Sequence, residues 1–124
     1  MTFEERVAIN QRIDNMIGTP DDLKKEIEHM DLTDRITARD KYQKMREKLF
    51  KIAEKYGEKA LVVTVIQEGN TSKGVTANGK KFIWYGNHGY TTRSRYCGSL
   101  YIEGVGMVFT SGTIAKTFDY ILNN

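Results

Sequence analysis

Cysteine occurs once in this chain, at Cys97, and histidine twice, at His29 and His88. A lone cysteine closes no internal disulfide and offers no thiolate cluster to a metal, a usage that suits a reducing compartment. The histidines stand in "EHMD" and "NHGYT". Neither supplies the His-x-Thr/Ser pair with which a metal-free phosphodiesterase moves its two protons. Carboxylates are scarce in the second half, where Glu68, Glu103 and Asp119 are all that follow Glu58, and the first two adjoin glycines near predicted strand ends. No apolar run approaches the ~20 residues of a membrane span. The opening "MTFEE" carries an acidic pair where a secretory leader would be basic and then apolar. The expectation is a protein off the membrane, with no catalytic constellation, no metal site and no cofactor, and not an enzyme.

At 124 residues, with 40% hydrophobic and 28% charged residues, the chain has the size and balance of one globular domain spanning residues 1–124. Its net charge of +3 is unevenly placed. Residues 1–58 carry 12 basic and 13 acidic side chains, and residues 59–124 carry seven and three, so the parts net −1 and +4. A mild excess in one region fits a small anion better than a long nucleic acid, which wants a basic stripe.

The hydrophobic period changes once, near Gly57. Thr2 with Glu5 has capping-box spacing, and Val7, Ile9, Ile13, Met16 and Ile17 continue a first helix to Gly18. Thr19-Pro20 opens a second through Leu23, Ile27 and Met30. Thr33 or Asp34 is the expected cap of a third, long helix whose stripe is Ile36, Tyr42, Met45, Leu49, Ile52, Ala53 and Tyr56. Beyond Gly57 lie nine of the 11 glycines and most of the β-branched residues. "ALVVTVIQ" reads as a buried strand, and Asn78-Gly79 as a type I′ hairpin turn. Strands are also expected up to Tyr85, then, after a Gly-flanked connection at Asn87-His88-Gly89, through about Tyr96, in "SLYIEG" and in "GMVFTS", with a closing helix capped by Ser111 or Thr113. The fold class is α+β, with N-terminal helices over residues 1–57, then an antiparallel β-meander and a C-terminal helix over residues 58–124.

The chemistry concentrates in "KKFIWYGNHGYTTRSRYCGSLY", residues 80–101. These hold six of the 13 aromatic residues, the only Trp, four basic residues and no acid. Strand alternation puts Phe82 and Trp84 on one face and Ile83 and Tyr85 on the other, so one ring set can be core and the other cannot. Further on, Arg93 and Arg95 share a face, and Thr92, Ser94 and Tyr96 the opposite one. Rings beside guanidinium groups and short hydroxyls match a nucleotide, whose base stacks and whose phosphates take the forked donors of Arg. The same pattern fits a sheet face covered by the long helix, with arginines at its rim. His88, between Asn87 and Gly89 in a predicted turn, can stack on or hydrogen-bond to a ligand.

From residue 57 to residue 121, "GEKALVVTVIQEGNTSKGVTANGKKFIWYGNHGYTTRSRYCGSLYIEGVGMVFTSGTIAKTFDYI", the chain resembles the phage Thoeris anti-defence proteins of the first type. These are small sponges for the signal made by bacterial Toll/interleukin-receptor-domain enzymes. The resemblance implies binding of glyco-cyclic ADP-ribose without cleavage, in the cytoplasm of the infected host. It also implies a homo-oligomer, at least a dimer, and possible room for cyclic oligonucleotides elsewhere. It places adenine on Phe82, Trp84 or Tyr90, the diphosphate near Arg93 or Arg95, and ribose hydroxyls at Asn87 and Thr92, with His88 beside them. Tyr85 then belongs to the core. Arg35 or Arg39 of a second subunit can complete such a pocket, and the many-sided apolar pattern of the first helix makes it the expected subunit contact. The competing class is an RNA or single-strand nucleic-acid binding module using the same rings and arginines on an open sheet.

Overall fold

The computed structural model describes residues 1–86 and 96–124. Helix α1 (Phe3–Ile17) begins where the Thr2 hydroxyl accepts the Glu5 N–H at 3.1 Å, and ends at Gly18, whose φ of 87° ordinary residues avoid. It buries Ile9, Ile13, Met16 and Ile17 and leaves Phe3 and Val7 exposed. Helix α2 (Pro20–Ile27) opens on a full capping box, in which Thr19 and Asp22 each accept the other's backbone N–H. Those bonds from Thr19 hold the Asp22 carboxyl below the usual carboxylate range. A depressed folded-state pKa stabilises above the unfolded value and is lost as pH falls through the folded one. Thr19→Ala is therefore expected to cost about 1 kcal/mol at neutral pH. Acid titration of Asp22→Asn should show a flatter loss of stability below the carboxylate range than the parent, read from urea midpoints.

Helix α3 (Leu32–Tyr56) is capped two residues before Thr33 and three before Asp34, by Asp31, whose carboxylate accepts the Asp34 N–H at 2.9 Å. Its stripe also differs from expectation, because Ile36 is exposed. The end of α1 meets α3 at Tyr42, whose hydroxyl donates to the Gly18 carbonyl at 2.7 Å.

The expected buried strand "ALVVTVIQ" is divided. Residues Glu58–Val62 form a short helix, α4, and only Thr64–Glu68 is strand β1, with Val65 its single buried residue. Arg12 holds the chain at the break, its guanidinium donating to the carbonyls of Leu61 at 2.7 Å and Val63 at 2.8 Å. Burial lowers the Arg12 pKa, yet three carbonyls, Ala8 included, hold the group in place.

Strands β2 (Thr71–Val75), β3 (Lys81–Gly86), β4 (Cys97–Ile102) and β5 (Gly106–Thr113) complete an antiparallel meander in the order β1-β2-β3-β4-β5. The β2–β3 turn is not type I′, since Gly79 alone has positive φ and Asn78 does not. The end of helix α5 (Ile114–Asn123) decides this, as the carbonyls of Ile121 and Asn124 take the N–H groups of Ala77 and Asn78. Thr113 caps α5, one of the two residues expected to do so. The fold is α+β as the sequence indicates. The strand expected to reach about Tyr96 falls mostly outside the described residues, and the place beside β3 is held by β4, with Phe82 opposite Ile102 and Trp84 opposite Leu100.

One sheet face is covered, by α1 against β1 and by α5 against β3, β4 and β5, while α3 packs on α1 and α5. This corrects the assignment of Phe82 and Trp84. Both are 2% exposed, in the same core as Ile13, Phe118 and Ile121, and offer no free ring face to a base. Tyr85, expected in the core, is 48% exposed. Polar ties lock the helices to the sheet, with the Asn15 side chain donating to the Val65 carbonyl and Ser72 Oγ to the Asn15 carbonyl.

Candidate functional site on the open sheet face

Among the described residues, no helix covers the other sheet face. Register places its outward side chains in three rows across the strands. The first row is Thr64, Val75, Lys81 and Glu103, the last placed by its N–H bond to the Lys81 carbonyl at 2.9 Å. The second is Ile66, Lys73, Ile83, Tyr101 and Met107. The third is Glu68, Thr71, Tyr85 and Ser99. A solvated antiparallel face alternates cleanly to polar residues. Here Ile66, Tyr85, Tyr101 and Met107 are exposed, and Val75 and Ile83 half-buried.

A shallow concavity of about 590 Å³ lies over β1 to β4, floored by Ile66, Val75 and Ile83 and rimmed by Lys73, Lys81, Tyr101, Glu68 and Glu103. That volume is within the range small ligands occupy. Lys73 is already committed, because its ammonium sits 2.9 Å from Glu68, which raises its pKa. Lys81 and Glu103 oppose each other on neighbouring strands without forming an ion pair of 4 Å or less, and the four charges cancel.

Of the sequence-derived site residues, Phe82 and Trp84 lie in the core on the far side of this sheet. Asn87, His88, Tyr90, Thr92, Arg93 and Arg95 lie outside the described residues. Gly86 and Gly98 are paired, so the segment carrying those six residues leaves and re-enters the sheet at adjacent strand ends, next to the row holding Tyr85. Among the described residues of 80–101, Lys81, Ile83, Tyr85, Ser99 and Tyr101 belong to the open face. Sequence reading missed Tyr101, Ile66 and Met107 as members of that face, although alternation from Tyr85 and Ile83 through the register leads to them. Arg35 and Arg39 belong to α3 on the helical side, Arg35 donating to the Met30 carbonyl at 2.9 Å.

Among the described residues no group of three or more His, Cys, Asp or Glu is placed to hold a metal ion, and no helix is long and apolar enough to cross a membrane. Neither a family model, a curated protein nor a solved structure matches the chain.

Proposed function

We propose that this protein binds a small cyclic nucleotide, glyco-cyclic ADP-ribose, and sequesters it unchanged in the cytoplasm of a phage-infected bacterium, as its resemblance to the Thoeris anti-defence proteins implies. The observation that carries this reading is the acid-free run of rings and arginines in residues 80–101. With Phe82 and Trp84 committed to the core, stacking passes to Tyr90 and to the exposed Tyr85. Arg93 and Arg95 take the diphosphate, and Asn87, His88 and Thr92 its sugar hydroxyls. A single diphosphate needs few cations, and the charge-neutral open face beside this segment suits such a ligand better than a polynucleotide tract.

An uncovered sheet bearing Tyr85 and Tyr101 also fits a single-strand nucleic-acid module. Salt separates the two, because a tract binder loses affinity steeply with ionic strength and a one-diphosphate binder only weakly. Calorimetric titration with the purified signal should give saturable binding. Heating the complex should then release intact signal that still activates a Thoeris effector. Recovery of linear ADP-ribose would make the protein an enzyme, and no binding would end the reading. Arg93→Ala and Arg95→Ala are each expected to weaken binding about tenfold or more, the size of a lost charge-assisted hydrogen bond, with melting unchanged.

A further inference from the structure

We infer that the concavity on the open sheet face binds a free α-amino acid with a large apolar side chain, taken as its zwitterion with the carboxylate on Lys81 and the ammonium on Glu103. Nucleotide binding plays no part in it. The two charged side chains leave the sheet next to each other, because Phe82 pairs with Ile102 and the Glu103 N–H donates to the Lys81 carbonyl at 2.9 Å. Directly opposed side chains of an antiparallel pair have Cβ atoms about 4.5–5.5 Å apart. Both residues are exposed, and both line the concavity. Among the described residues neither enters an ion pair, whereas Lys73 and Glu68, on the same concavity, are joined at 2.9 Å.

Two open charges of opposite sign, side by side, select the charge of the ligand. An anion such as a phosphate meets Glu103 as well as Lys81, and a cation meets Lys81 as well as Glu103, so each gains one attraction and one repulsion. A group carrying both signs satisfies both residues. Either end of a peptide offers one charge, while a free α-amino acid holds both on a single carbon. The rows then select the side chain. Lys81 and Glu103 stand in the first row with Val75, and two residues along the strands, about 6.8 Å away, the second row presents Ile66, Ile83 and Tyr101. A zwitterion held in the first row therefore lays its side chain over aliphatic surface with the Tyr101 ring beside it. An indole fits best, since it buries the most apolar area and packs against a second ring. The volume of about 590 Å³ has room for it. Because the site is shallow and its charges are in water, the complex is weak, with a Kd on the order of 1 mM.

Residue-resolved NMR titration of the nucleotide-free full chain tests this, with L-tryptophan as the probe. Amide signals of Lys81, Ile83, Tyr101 and Glu103 should shift together and saturate. Tryptamine, which lacks the carboxylate, and indole-3-propionate, which lacks the ammonium, should each bind roughly three- to fivefold more weakly, the size of one exposed ion pair. Lys81→Gln should weaken tryptophan by the same factor and leave tryptamine no weaker. Glu103→Gln should likewise weaken tryptophan and leave indole-3-propionate no weaker. Both variants should melt with the parent, since both side chains are exposed. Tyr101→Ala should weaken all three probes. The absence of saturable shifts with tryptophan overturns the inference. So does indole that binds as tightly as tryptophan, or a tryptophan affinity that ignores Lys81→Gln and Glu103→Gln. Shifts at these residues with phosphatidylcholine vesicles and none with tryptophan would overturn it too, by making the zwitterion a lipid head group.

Discussion

Trp84→Ala is expected to remove about 3–5 kcal/mol of stability, and Phe82→Ala a similar amount, as large rings truncated in a packed interior do. A domain of this size holds roughly 5–15 kcal/mol in all, so either change brings the protein close to unfolding at physiological temperature. Both rings are 2% exposed, on the strand that α5 covers. Tyr85→Ala, one residue from Trp84 and on the opposite face, should stay within about 1 kcal/mol, because half of its side chain is already in water. Urea midpoints of the three variants decide the matter. A stable Trp84→Ala with an unstable Tyr85→Ala would mean that the covered and open faces have been exchanged. The same trio bears on ligand binding, since a loss of affinity at Tyr85→Ala without loss of fold would bring the open face into the nucleotide site.

That contrast marks how far the sequence is legible. Helix starts were readable where a single side chain makes the cap, as at Thr2 and at Thr19-Pro20, because such bonds are local. The cap of α3 was missed because Asp31, Thr33 and Asp34 are all capable residues, and only the three-dimensional chain path selects among them. Alternation in "KKFIWY" separated two faces correctly, but both carry large apolar side chains, and nothing local says which one the helices cover. The helix α4 was invisible for a related reason. Its residues have strand character, and the guanidinium that holds their carbonyls, Arg12, is about 50 positions away. The candidate site was legible as a composition, rings and arginines without acid, and only half legible as a geometry. Tyr101 and Met107 join it through register with β3, which no local pattern encodes.

Gly98→Ala should be about as damaging as the loss of a core ring, although it adds only one methyl group. Gly98 pairs with Gly86 across β3 and β4. A Cβ there would overlap the Tyr85 carbonyl oxygen and stand 2.9 Å from Trp84 Cζ2 and 3.0 Å from the Gly86 Cα. Two of these three obstacles are backbone, which cannot turn aside as a flexible side chain does. Relief requires moving β4 away from β3, at the expense of ladder bonds and of the packing of Trp84 against Leu100. Overpacking in a tight interior costs typically 1–3 kcal/mol, and a backbone obstacle puts this case at or above the top of that range. Trimming the indole should not rescue it, since in the double variant Trp84→Phe/Gly98→Ala the carbonyl of Tyr85 still stands in the way. Gly57→Ala provides the contrast. Its Cβ would meet nothing within 4 Å, so its cost is backbone strain alone, about 1–3 kcal/mol, because φ of 59° with ψ of −120° is a combination that residues other than glycine rarely adopt. Chemical denaturation should therefore show Gly98→Ala far less stable than the parent, by contact with backbone where Gly57→Ala loses by strain. A Gly98→Ala midpoint equal to the parent's would mean that β4 does not lie against β3 in the register described, and the rows assigned to the open face would have to be redrawn.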